Sequence, residues 1–186
     1  MPSQFVPRKF FLTRGVGVHQ DRLVSFEMAL RDAQVPQFNL VTVSSILPPN
    51  CVQVEPEEGL RHLSPGEIVF CVLSRNESND PGRTIAASVG MAVPENRNRH
   101  GYIAEHHDSG MTEQQACWYT ERQSVAMLST AVGEPFSLKV AAEPLDPSEL
   151  PDMVRGTLSI AQEATIDAEG NWTTVVAAAV FVLPEA

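Results

Sequence analysis

The chain is poor in cysteine, aromatic residues and basic charge, and it has no long apolar run. Its three cysteines, Cys51, Cys71 and Cys117, are far apart and never form C-x-x-C. An odd set at that spacing builds neither a disulfide framework nor a zinc knuckle, and reads as free thiols in a reducing compartment. No segment approaches the ~18 apolar residues of a membrane span. The N-terminal stretch carries Pro2 and Pro7 and no continuous apolar core, so it does not read as a secretory signal, and a cytoplasmic protein is expected. Lysine and arginine number 13 against 23 aspartates and glutamates, a net charge of -10. That balance argues against a nucleic-acid surface, which needs a basic face to release counterions from phosphate. It suits a cationic small substrate, although acidic surfaces also serve solubility alone. There is no phosphate-cradling P-loop, no strand-linked G-x-G-x-x-G and no G-x-S-x-G. Gly15 and Gly17 form only G-x-G, which reads as a turn.

What is present is an ordinary globular composition, 43% hydrophobic and 19% charged over 186 residues, enough for one domain with a sizeable core. Residues 8–14 read as a short strand closed by the two glycines. Residues 21–34 have helical spacing, with Leu23, Phe26, Leu30 and Ala33 on one stripe, Asp21 as N-cap and Pro36 after the end. The run 38–46 is apolar and β-branched until Pro48-Pro49 stop it. A surface connection over 50–66, a strand over 67–73 and a polar loop over 75–82 ending in Asp80-Pro81-Gly82 follow. Residues 84–93 read as a strand buried on both faces, and 100–108 as the next strand. Thr112 and Gln115 open a second helix as a capping box, and Gly133 ends it. A proline-marked surface loop spans 143–153, and strands over 156–166 and 172–183 flank a hairpin turn at 167–171. About seven strands and two long helices, with strands mostly joined by turns, make an α+β mixed sandwich rather than a βαβα array.

Three positions bear on chemistry. Ser44-Ser45 places adjacent hydroxyls at a strand end, a pair that is common without function. Glu27 lies on the apolar stripe of the first helix. It is either an edge residue reaching water or an anionic group at the floor of a polar pocket, where a buried charge needs a partner. Glu105 ends an otherwise apolar strand. It is either the start of a charged strand end or a carboxyl whose burial raises its pKa enough to make it a general acid. The segment Glu105-His106-His107-Asp108 divides two and two between strand faces, too few for a metal site without further ligands.

The run from Asn39 through Ser44-Ser45 to Pro48-Pro49 resembles the processing segment of the pyruvoyl-dependent arginine decarboxylases. Residues 80–94 look like that family's central strand. Gly101-Tyr102-Ile103-Ala104-Glu105 looks like the segment ending in its catalytic glutamate. The blocks fall in the same order and spacing, and the likeness is good over residues 20–130. It implies a single domain over 1–186 folded as a four-layer αββα sandwich, assembled as a trimer with sites between subunits. It implies cleavage between Ser44 and Ser45 into chains 1–44 and 45–186, with Ser45 becoming a covalent pyruvoyl cofactor. That group would form a Schiff base with L-arginine and yield agmatine and carbon dioxide. By resemblance, Glu105 is the proton donor, Asn39 orients the substrate or the scissile peptide, and Leu30 and Phe38 line the pocket beside Ser44. Glu27 stands where the family has an aspartate facing the guanidinium. It keeps the charge but is one methylene longer, which opens two further readings: a pyruvoyl decarboxylase for another amino acid, or an unprocessed, non-catalytic trimeric homologue.

Overall fold

The computed structural model describes residues 4–134 and 144–184. Among the described residues, nine strands form two sheets of an α+β fold. The first sheet has β2 (Asn39–Thr42), β5 (Ile68–Ser78), β9 (Trp172–Val182), β1 (Lys9–His19) and β4 (Val52–Gln53), in that spatial order. The second has β3 (Ile46–Leu47), β7 (Gly101–Ser109), β6 (Thr84–Pro94) and β8 (Val154–Thr165). Pairing is antiparallel except where β2 meets β5 and β4 meets β1. Helix α1 (Arg22–Asp32) lies on β1 and β9, and α3 (Glu113–Ala131) on β6, β7 and β8.

The strand pattern follows from what each face meets. On β9, Val176, Ala178 and Val180 pack with Ala29 and Ala33 of α1, while Ala177, Ala179 and Phe181 pack against the second sheet. On β6, Val89 and Met91 face the first sheet, while Ala86 and Ala92 meet Ala116, Val125 and Leu128 of α3. A strand covered on both faces has no reason to alternate with polar residues, which is why both runs are apolar throughout. No helix among the described residues is long and apolar enough to cross a membrane. The three thiols are free; Cys51 and Cys71 are buried, and burial pushes their pKa values to about 12 and about 11.

Both long helices have the expected caps. Asp21 accepts from Val24 N at 3.0 Å, and Thr112 and Gln115 close a capping box. Helix α3 leaves through Gly133 at φ 82, with Glu134 N bonded to Ser129 O. Helix α1 makes the same exit through Gln34 at φ 62, before Pro36 is reached. Its stripe is shifted, however: Ser25 and Ala29 are fully buried, whereas Leu23 is 71% exposed.

Several expected boundaries move, each for a physical reason. β1 continues through Gly15 and Gly17 to His19. These glycines make no turn: they let α1 lie directly on the strand, since a Cβ at Gly17 would stand 2.1 Å from Ser25 O. β5 runs on through the polar residues 75–78. There Ser74 and Asn76 bond carbonyls of β7 at 2.6 and 2.7 Å, while Arg75 covers the Phe26 ring at 3.7 Å. The 50–66 connection contains β4 and a short helix, α2 (Pro56–Leu60). Residues 167–171 do turn, but the strands they join belong to different sheets, so no hairpin forms. The 143–153 loop begins outside the described residues; from 144 it includes one 3-10 turn, Pro147–Glu149.

Candidate active site

The expected single strand over 38–46 is divided, and the division falls at the serine pair. β2 runs along the edge of the first sheet, and Val43 N makes its last bond there, to Cys71 O at 2.9 Å. β3 then joins the second sheet, where Ile46 pairs with Tyr102. Ser44 and Ser45 span the crossing. Ser45 O accepts from Ile103 N at 2.9 Å, which ties the crossing to β7. Ile46 N donates to Ser44 O at 2.8 Å. That bond skips one residue and closes a tight turn centred on Ser45. The carbonyl between the two serines is therefore held and polarised by the amide just beyond them.

Ser45 opens into a pocket of about 330 Å³ lined by Ala104, Glu105, Gln123, Ala126, Met127 and Thr130. Its floor is the β7 edge and its far wall is α3. Glu105 stays open to solvent as a residue, yet burial of its carboxyl holds the pKa above the ordinary carboxylate value. Ser44 faces the other way, into an apolar groove of about 530 Å³ with Val43, Ile46, Phe70 and Phe181.

The remaining expected site residues lie elsewhere on the chain. Glu27 accepts from Arg31 Nε at 2.6 Å, with 42% of its side chain exposed, in a shallow groove beside His19, Met28 and Asp32. Asn39 is exposed and donates from Nδ2 to Gly66 O at 2.8 Å. Phe38 is buried in the core under α1, and Leu30 packs against the same cluster. The pocket thus brings Ser45 and Glu105 together, with Ser44 beside it, while Glu27, Asn39, Leu30 and Phe38 are not among its lining residues. No three histidine, cysteine or acidic side chains converge among the described residues. His106 lies 3.7 Å from Asp108 and 4.2 Å from the Tyr119 ring, and burial lowers its pKa.

A family model described as pyruvoyl-dependent arginine decarboxylase matches residues 9–185. The chain belongs to that family. Pyruvoyl-dependent arginine decarboxylase 2 of Methanosarcina acetivorans is 51% identical over 178 residues, covering 95% of this chain and 97% of its own. The pyruvoyl-dependent arginine decarboxylase of Methanocella arvoryzae is 50% identical over 184 residues, covering 98% of this chain and all of its own. A probable pyruvoyl-dependent arginine decarboxylase of Chloroherpeton thalassium is 45% identical over 179 residues, 96% of this chain and 98% of its own. The site fits the group that gives the family its name. A hydroxyl residue follows a polarised carbonyl, and it shares a pocket with a carboxyl whose pKa is raised.

Two features escaped the sequence reading. The α3 wall had a visible signal, because Gln123, Ala126, Met127 and Thr130 repeat at helical spacing. The Ile46 amide had none, because a backbone turn across two sheets leaves no side-chain pattern.

Proposed function

We propose that this chain decarboxylates L-arginine to agmatine and carbon dioxide, using a pyruvoyl group that it makes from Ser45. The observation that carries the reading is the shared pocket of Ser45 and Glu105, in a chain whose family match covers nearly its whole length.

Cleavage begins when Ser45 Oγ attacks the Ser44 carbonyl carbon. Negative charge gathers on the carbonyl oxygen, where Ile46 N–H donates, in the manner of an oxyanion hole. The peptide C–N bond breaks and an ester forms. Loss of the Ser45 Cα proton expels the Ser44 carboxylate and leaves dehydroalanine; water then replaces its nitrogen, which departs as ammonia, and position 45 becomes pyruvoyl. The chains are 1–44 and 45–186. Once formed at position 45, the pyruvoyl group would supply a carbonyl to hold the substrate amine and an electron sink for decarboxylation, with the Glu105 carboxyl in the same pocket. Glu105, whose carboxyl is pushed toward its neutral form by desolvation, returns a proton to the α-carbon. Ala104, Ala126 and Met127 keep the reacting end short of water.

The succession of α1, five-stranded sheet, four-stranded sheet and α3 reads as a four-layer αββα sandwich. Glu27 serves the substrate guanidinium from a neighbouring subunit of a trimer, since within one chain it opens into a different groove from Ser45. Asn39 orients the crossing segment, and Leu30 and Phe38 back the same region from the core.

Intact mass and a denaturing gel test the reading. Two fragments matching 1–44 and 45–186, the larger with a blocked N-terminus, are expected, along with carbon dioxide release from arginine. Ser45→Ala abolishes both. Ile46→Pro removes the amide donor and stops cleavage, while Ile46→Val does not. A wild-type chain that stays whole after long incubation and releases no carbon dioxide refutes the reading and leaves the unprocessed, non-catalytic role.

A further inference from the structure

Glu105 sits on a stretch of strand that has a ladder on one side only. β7 pairs with β6 from Tyr102 to Ser109, whereas β3 meets its other side only at Gly101 and Tyr102. The bond from Ile103 N to Ser45 O at 2.9 Å closes that short pairing. Beyond it, the edge that carries Glu105 is open among the described residues, and an open edge has unpaired backbone groups and little to hold it. Support comes from the other sheet instead. Ser74 Oγ of β5 donates to His106 O at 2.6 Å, and Asn76 Nδ2 donates to Asp108 O at 2.7 Å. Ser88 Oγ of β6 reaches the same His106 carbonyl only at 3.4 Å, and makes its shorter bond, 3.1 Å, to Ala116 O. Ser74 is 2% exposed, and Val72, two residues earlier on the same face of β5, belongs to the apolar core between the sheets. An apolar side chain is the default in such a place, and a hydroxyl there needs an acceptor. Ile103 belongs to the same core, so strand alternation puts Glu105 on the inward face of β7, the side from which Ser74 arrives. Glu105 thus lies between two fixed points, Ile103 N on Ser45 and His106 O on Ser74. Burial is the cause of its raised pKa, so water reaching a displaced strand edge would lower it.

We infer that Ser74 is a positioning residue for Glu105, its hydrogen bond to His106 O holding the open edge of β7 so that the carboxyl keeps its place in the pocket of Ser45. The inference rests on the decarboxylase reading, and extends it to what fixes the proton donor. Ser74 acts through β7 and is not a lining residue of the pocket.

The test sets Ser74→Ala against Thr13→Val. Thr13 Oγ1 donates to Ala33 O at 2.6 Å, a buried bond of the same kind and length that ties β1 to the end of α1, away from the pocket. Three measurements are made on cleaved protein: Tm by scanning calorimetry, kcat and KM for arginine across pH, and carbon-13 NMR titration of the glutamate carboxyls. The Glu105 resonance is identified by its absence in Glu105→Gln. Both variants lower Tm, because each loses a buried hydrogen bond. Only Ser74→Ala lowers kcat, by about ten- to a hundredfold, as a displacement near 1 Å does. Its KM stays unchanged, and both the alkaline limb and the Glu105 titration move to lower pH. Ser74→Cys, which fills the same space with a weaker donor, shows the same changes to a smaller degree, and carries the comparison should Ser74→Ala not fold. The inference is overturned if Ser74→Ala matches Thr13→Val in kcat and titration, if kcat falls while the Glu105 titration stays in place, or if KM rises instead of kcat falling. A Ser74→Ala chain that folds yet stays uncleaved also overturns it, because the residue then acts in processing. A wild type that stays uncleaved and releases no carbon dioxide brings down the decarboxylase reading, and this inference with it.

Discussion

Replacing Gly90 by alanine tests how closely the proposed catalytic pocket depends on the approach of α3 to its sheet. Gly90 lies in β6 beneath that helix. A methyl group there would stand 2.5 Å from Thr120 C, 2.6 Å from Thr120 Oγ1 and 2.7 Å from Glu121 N. Carbon atoms rest at about 3.5–4.0 Å, so roughly 1 Å must be found. The obstacle is helix backbone, and Thr120 itself is completely buried, with its hydroxyl already bonded to Ala116 O and Cys117 O at 3.1 Å each. The strand cannot sink either, because Val89 and Met91 on its other face are fully buried against the first sheet. The helix must therefore lift. Forcing a methylene-sized group into such packing costs about 1–3 kcal/mol. For a chain of this length each kcal/mol lowers Tm by roughly 2–4 °C. Function suffers separately. Gly90 pairs across the ladder with Ala104, which lines the pocket, and α3 supplies the opposite wall. A shift of about 1 Å between the two walls can cost up to about a hundredfold in rate. Scanning calorimetry and carbon dioxide release well below Tm read the two effects. Gly156→Ala is the control, since a Cβ at Gly156 on the neighbouring strand β8 meets nothing within 4 Å. If Gly90→Ala matches Gly156→Ala in both Tm and turnover, the close approach does not constrain the site and the reasoning fails.

Two further perturbations follow from named groups. Glu105 has a folded pKa raised by burial, and in its proposed role it must be protonated to donate, so turnover is full below that pKa and falls as pH rises through it. Glu105→Gln leaves cleavage intact, lowers turnover by about 10²–10⁴-fold and loses that alkaline limb in a pH–rate profile. The same raised pKa makes the carboxyl's contribution to stability greatest below its unfolded value and lost as pH rises through the folded one. Wild type therefore gains on Glu105→Gln in acid, measured by denaturant unfolding at several pH values. Gln34 exits α1 at φ 62, a left-handed conformation that penalises a side chain by roughly 1–2 kcal/mol, part of which glycine gives back as entropy. Gln34→Gly should raise the denaturant midpoint by the equivalent of about 0.5–1 kcal/mol with an unchanged slope; a lower midpoint would refute the strain.

Local signals read well from the sequence because their causes are local. Asp21 and the Thr112–Gln115 box cap their helices through hydrogen bonds to amides three residues on. Gly133 ends α3 because its exit needs a positive φ. The two-sided apolar run of β6 announced a buried strand because both of its faces are in fact covered. The polar end of β5 misled for the opposite reason. Its serine and asparagine face carbonyls of another strand, and its arginine covers an aromatic ring, partners that no local pattern reveals. Gly15 and Gly17 likewise looked like turn residues, and only the helix lying on them explains their missing side chains.

For the site, residue order alone pointed to Ser44, Ser45 and Glu105, because three blocks of sequence kept the order and spacing of a known family. What the order could not supply was which of the expected residues meet. Tertiary structure decided that, since a pocket is made by elements distant in the chain. The crossing between sheets sets Ser45 opposite α3, folds the Ile46 amide back onto the Ser44 carbonyl, and brings in Gln123 from 78 residues away, while leaving Glu27 in a separate groove. The sequence determined the chemical groups and the local elements that carry them. Their convergence was decided by how two sheets and two helices pack, because distances between remote residues depend on every interface between them.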